Sequence, residues 1–369
     1  MLAWRVHDFQ IKSGNAKHKA PKSPRPPKVD QLWHNAFHEL LKENAGEIKD
    51  MLAAVADSFT DTPRKVEKLV KELHEDLATS VTQALDLARR ARVPELGVKV
   101  NAPAKGKLML VRKNQQPFKL GKLTLHVLGP SQTDLDHLRV EWNDWLRTHK
   151  EQLKQVRERA SKAEKDLGNS AQSIVNVEAA TLTGMRDFVL QRQKNLATAA
   201  TQQKLGERTA VTTPNLASLM LLAEDGTRSV LLTGDGHADD LIKGLRSIGK
   251  LNGSGLHLDV LKVQHHGSEH NMTQDFARNV TADHYVFCGN GFSTNPELIV
   301  IQTLVDARLA GFGPNRPFKL WFNASPSDKG KYQAHMKQVK QLVDGIAKAN
   351  KRVKVEFMAA NKASFRVLV

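Results

Sequence analysis

A single cysteine, Cys288, rules out an intramolecular disulfide and any cysteine zinc cluster, and it fits a reducing compartment. It ends the apolar stretch 285–287, so it reads as a small buried hydrophobe rather than a nucleophile. Aromatic residues make up only 5% of the chain, which leaves few stacking platforms for single-stranded nucleic acid. No apolar run approaches the roughly 20 residues that span a bilayer. The chain also does not open on a basic segment followed by an apolar one. These absences together predict a cytoplasmic protein without a membrane partner. A Walker loop and a Rossmann glycine pattern are also lacking. Acidic residues are in deficit, 39 against 55 basic, and the net charge of +16 favours polyanionic partners, nucleic acid first.

With 369 residues, 40% of them hydrophobic, the chain can build a large core. Residues 12–28 are rich in Pro and Lys and read as a loop, either a basic arm on a phosphate backbone or a solvated linker. Two amphipathic helices are expected over 29–59 and 63–91, and strands over 107–111 and 119–128. Residues 133–203 read as a charged helical insertion capping the site. Strand and helix then alternate. Strands are expected at 216–223, 229–233, 258–263, 284–287, 318–322 and 353–357, with 364–369 closing the sheet. Helices are expected over 238–248, 296–310 and 331–350. This alternation signals an α/β fold.

Two segments carry the chemistry, Leu231-Leu232-Thr233-Gly234-Asp235 and Leu261-Lys262-Val263-Gln264-His265-His266-Gly267-Ser268. Each is an apolar strand that breaks into glycine plus metal-ligand side chains. Neighbouring strand ends can bring an Asp and a His pair to one rim of a sheet, where α/β folds assemble their sites. A carboxylate with imidazoles suits borderline ions such as zinc or manganese. Side chains alternate along an extended strand, so one of His265 and His266 is expected to reach the metal. Ser268 with its backbone N–H is a candidate for holding a phosphate oxygen, and Lys262 is a candidate positive charge near the rim or a solvated lysine. His237 is placed to approach a metal or a leaving group, or lies on the surface. His34 and His38 share a helix face without a third ligand and read as surface histidines.

The order Pro214-Asn215-Leu216-Ala217-Ser218, then Leu-Leu-Thr-Gly-Asp, then Lys-Val-Gln-His-His-Gly-Ser, resembles the second half of a metallo-β-lactamase-fold hydrolase. The branch it resembles is the one related to the soluble domain of competence protein ComEC. The run from Cys288 to Glu297 is similar to the loop after that family's last site strand, and the resemblance extends from about Gln31 to Val305. It implies an αββα sandwich, with residues 1–132 and 204–369 as its two parts and 133–203 as the insertion. It also implies that Asp235 bridges two ions, Zn2+ or Mn2+, and that polar Asn215 and Ser218 stand where other members carry a further His. The family's His-x-His-x-Asp-His loop is missing, and Met1 to Asp8 reads like the helix that follows it. The resemblance therefore implies an N-terminally incomplete fold that starts at an internal Met. The expected function is metal-dependent phosphodiester hydrolysis, by a nuclease or phosphodiesterase. The alternative is a catalytically inactive basic interaction module.

Overall fold

The computed structural model describes chiefly residues 2–35, 96–137 and 205–368. Most of the two expected helices between 29 and 91, and nearly all of the expected insertion over 133–203, lie outside the described residues. The chain divides into two compact units, residues 1–109 with 139–193, and residues 110–138 with 194–369.

In the first unit, helix α1 (Leu2–Lys12) is followed by the Pro- and Lys-rich stretch, which folds back on it. Arg25 makes two hydrogen bonds to Asp8 (2.7 and 2.8 Å), stacks over Trp4 at 4.3 Å, and holds the Asp8 carboxyl below its usual range. Strands β1 (Gln31–Leu32) and β2 (Lys99–Val100) pair in parallel, so the expected helix over 29–59 does not begin at its start. Asn35 then closes a two-way bond with the Met109 backbone, donating to its carbonyl at 2.6 Å and accepting from its N–H at 2.8 Å. The expected strand at 107–111 is thus an irregular segment held by a side chain.

The second unit is an α/β body around one mixed sheet of eight strands in the order β10-β9-β8-β7-β6-β5-β4-β3. Strands β3 (Phe118–Leu120), β4 (Leu123–Gly129), β5 (Met220–Asp225) and β6 (Arg228–Leu232) form an antiparallel meander. The turn at Gly121-Lys122 splits what the sequence suggests is one strand over 119–128. From β6 onward, β7 (Leu256–Lys262), β8 (Val280–Phe287), β9 (Phe318–Phe322) and β10 (Val353–Phe357) run parallel. Residues 364–368 add no strand; Phe365 stacks on Trp321 instead, ring centroids 5.2 Å apart.

The crossovers are α2 (Ala238–Ser247), α3 (Gln274–Asn279), α4 (Leu298–Ala310) and α5 (Gln333–Ala349). Their apolar stripes bury Leu241, Leu245, Phe276, Leu304 and Val339 with the strand residues Leu258, Leu261, Tyr285 and Phe322. Parallel strands covered by helices read as near-continuous apolar runs, which is why β9 stands out in the sequence. At the N-terminal ends of β7 and β8, buried Arg308 donates to Ala282 O (3.1 Å) and reaches Asp283 Oδ1 (3.3 Å). His257 and Arg316 pair with the same carboxylate. This charge cluster sits at the opposite end of these strands from the Asp-His segments. Among the described residues, no helix is long and apolar enough to cross a membrane.

Candidate functional site

Parallel β6 and β7 end side by side, with Leu232 opposite Lys262, so the two motif segments emerge at the same C-terminal rim. Buried Thr233 donates its hydroxyl to Lys262 O at 2.8 Å and locks the two strand ends together. The chain turns at Gly234, where φ is +54° and a Cβ would lie 2.9 Å from Ser218 Cβ. Only glycine fits both constraints. The Asp235 N–H then donates to Ser218 Oγ at 3.2 Å, which aims the Asp235 side chain away from the strand.

On the β7 side the backbone is left-handed at three successive residues, His265 (φ 39°), His266 (φ 59°) and Gly267 (φ 97°). Left-handed non-glycine residues cost about 1–2 kcal/mol each and persist only where their surroundings fix them. Here they are fixed from both sides. His265 N–H donates to Gly234 O (3.2 Å), Glu297 N–H donates to Gly267 O (2.9 Å), and the Glu297 carboxylate accepts from Glu269 N–H. The expected strand-like alternation of the two histidines therefore does not apply. Their ring centroids lie 5.8 Å apart at the same rim.

His266 Nε2 is 3.7 Å from Asp235 Oδ1, and Lys262 Nζ is 3.6 Å from the same oxygen. Burial pushes the His266 pKa below its usual value against the pull of Asp235, so the ring is neutral at neutral pH. Its Nδ1 lies 3.2 Å from Cys288 O, and a carbonyl only accepts. Nδ1 therefore carries the proton and Nε2 presents a lone pair. Two lone-pair donors thus face each other at 3.7 Å without a proton between them, an arrangement that a cation would stabilise. Ligand bonds of about 2.0–2.2 Å allow both atoms to reach one zinc ion. The donor types and tautomer fit a metal, but the number of ligands does not. Three or four protein ligands are the rule. Among the described residues, no group of three or more His, Cys, Asp or Glu side chains is arranged to hold a metal. Asp235 and His266 are at most half of such a centre.

The remaining candidates fall into two groups. Asn215 Nδ2 lies 3.4 Å from His265 Nε2, and Ser218 accepts from Asp235, so both adjoin the motif residues. Lys262 donates to Gly234 O at 2.6 Å and its ammonium lies 3.6 Å from Asp235 Oδ1, a positive charge at the rim and not a solvated lysine. Two expectations are corrected. The Ser268 backbone N–H is already donated to His265 O (3.0 Å), so the backbone half of the expected phosphate contact is lost. His237 is fully buried as the N-cap of α2, its Nδ1 accepting from Asp239 N–H (3.1 Å) and its Nε2–H donating to Gly206 O (3.2 Å). Both nitrogens are committed to backbone, and neither is free for a metal or a leaving group.

Cys288 is partly buried, and burial raises its thiol pKa, so it stays protonated and unreactive. Sequence reasoning missed Asn271, which is buried and bonded to both motif segments: its Nδ2 donates to Asp235 O at 2.8 Å and its Oδ1 lies 2.9 Å from His265 Nδ1. A lone polar residue after a turn gave no signal. Its position within reach of the His pair was the only clue. No protein-family model, curated protein or solved structure matches the chain.

Proposed function

We propose that the protein is a metal-dependent phosphodiester hydrolase of metallo-β-lactamase type, with a ComEC-like αββα architecture, acting on nucleic acid or a smaller phosphodiester. The observation that carries this reading is the facing pair of Asp235 Oδ1 and His266 Nε2, two cation-seeking atoms at the C-terminal rim of a parallel sheet. Zn2+ or Mn2+ bound there would polarise a phosphoryl oxygen and lower the pKa of a water. Asp235 and His266 would hold the ion. Asn215 and Ser218 would keep His265 and Asp235 oriented. The excess of basic residues would hold the phosphate backbone.

A second reading, the inactive basic interaction module, is favoured by one specific observation. The Lys262 ammonium already lies 3.6 Å from Asp235 Oδ1 and supplies a cation at that oxygen. Zinc and manganese titrations of the full chain separate the two. Hydrolysis of bis(p-nitrophenyl) phosphate and of a labelled oligonucleotide is followed at each metal concentration. The hydrolase reading expects saturable, metal-dependent cleavage and weaker metal binding in both Asp235→Ala and His266→Ala. Identical metal binding by the wild type and both variants would overturn it in favour of the module.

A further inference from the structure

We infer that Asn271 is a positioning residue that fixes the tautomer of His265 and ties it to Asp235, so that His265 presents Nε2 as a second lone-pair donor at the rim. This rests on the hydrolase reading above for its purpose, although the geometry is independent of it.

The argument is a proton count. Asn271 is 1% exposed, so its amide cannot turn to water for partners. Its Nδ2 lies 2.8 Å from Asp235 O and 3.3 Å from Gly236 O, and backbone carbonyls accept only. The amide nitrogen must therefore be on that side, which puts Oδ1 against His265 Nδ1 at 2.9 Å. An amide oxygen also only accepts, so Nδ1 carries the ring proton. In the neutral ring Nε2 is then bare, and its neighbour is Asn215 Nδ2 at 3.4 Å, a donor and the partner a lone pair calls for. A flipped Asn271 would set an N–H2 group against His265 and an oxygen against two carbonyl oxygens, leaving three buried acceptors without a proton. Such groups cost about 1–3 kcal/mol each.

One side chain thus joins the two motif segments. Its donor end holds the backbone beyond β6, and its acceptor end orients the ring beyond β7. Metal-ligating histidines are commonly oriented by an acceptor on the second ring nitrogen, and loss of that partner typically costs 10–100-fold in metal affinity or activity. His266 has such an acceptor in Cys288 O, and Asn271 gives His265 the same arrangement.

The test reads the protons directly. The full chain is labelled with 15N-histidine, and long-range 1H–15N correlation spectra are recorded at about pH 8, above the ordinary imidazole pKa. The His265 ring is assigned by its disappearance in His265→Gln. The inference expects His265 as the Nδ1–H tautomer in the wild type. In Asn271→Ala it expects a shift toward Nε2–H, with hydrolysis 10–100-fold slower. A wild-type Nε2–H ring overturns the inference without any variant. An Nδ1–H ring unchanged in Asn271→Ala also overturns it. If Asn271→Ala does not fold, the wild-type spectrum decides. Because the tautomer is read without turnover, a wild type with the expected tautomers and no hydrolysis sinks the functional reading and leaves this inference standing.

Discussion

Gly267→Ala is the perturbation with the sharpest expected consequence. The new Cβ would lie 2.7 Å from Pro296 Cβ, 2.9 Å from Pro296 Cα and 3.2 Å from Phe287 Cδ1. Carbon atoms in contact normally sit about 3.5–4.0 Å apart, so the proline must retreat by most of an ångström. It cannot swing aside as a flexible side chain would. Pro296 is a ring, and the next residue, Glu297, donates its N–H to Gly267 O at 2.9 Å. Overpacking of this kind costs about 1–3 kcal/mol. Placing alanine at a φ of +97° adds about 1–2 kcal/mol. The total is roughly 2–5 kcal/mol.

Gly226→Ala is the matched control. Gly226 also has positive φ (+60°), but a Cβ there meets nothing within 4 Å. It should lose only the conformational part, about 1–2 kcal/mol. Urea unfolding measures both, with amide exchange of the 280–297 peptides confirming that the loss is in this unit. The variants should differ by about 1–3 kcal/mol at equal m. Equal destabilisation would show that the Pro296 wall yields. The reasoning that the His-His-Gly loop is clamped against α4 would then fail with it.

Other outcomes follow from the same geometry. Asp240 is pushed up to about 6 by burial, despite Arg208 at 3.1 Å, so the folded state keeps a proton that the unfolded chain releases near the ordinary carboxylate value of 3.8. Stability should therefore fall by roughly 1–3 kcal/mol as pH rises from 4 to 6. Asp240→Asn should flatten that slope in urea titrations, and an unchanged slope would refute the assignment. His237→Ala removes a helix cap and leaves Gly206 O without its donor, a loss of about 2–3 kcal/mol measurable by thermal unfolding. His237→Asn, which can still cap, should lose less. Arg308→Ala strips a buried guanidinium from Asp283 while Arg316 remains, so about 2–3 kcal/mol should be lost with the metal titration unchanged. Nucleic-acid binding should weaken steeply with salt, and Asp235→Ala should leave it intact. Filter binding checks both, and affinity that ignores salt would point away from a phosphate backbone.

What was legible in the sequence follows the physics of burial. Strand 318–322 appears where its apolar run places it, because a covered parallel strand is selected for apolar side chains, and 353–357 appears where the alternation Val353-Lys354-Val355-Glu356-Phe357 marks a half-buried edge strand. β8 begins at Val280, four residues earlier than the expected strand, because Thr281 and Asp283 are strand residues whose polar ends are met by His257, Arg308 and Arg316. Those partners are distant in sequence, so no local pattern reveals them. The segment 107–111 looks like a strand because Met109 and Leu110 are buried, yet Asn35, 74 residues away from Met109, takes the backbone bonds that a neighbouring strand would supply.

The site divides in the same way. Asp235 and the His pair were legible because glycine and ligand side chains interrupt apolar strands, and parallel pairing of β6 with β7 then brings the two interruptions to one rim. The roles within the site were not legible, because they depend on which nitrogen holds a proton and which backbone group receives it. His237 is buried and His266 only partly so, yet both have a lowered pKa with burial the largest cause in each. They differ in what the second nitrogen faces. In His237 it meets a carbonyl, Gly206 O, and the ring is structural. In His266 it meets the Asp235 carboxylate with no proton to share, and that unmet pairing makes the ring a candidate ligand. Composition and spacing cannot separate these two histidines, whereas their hydrogen-bond partners do.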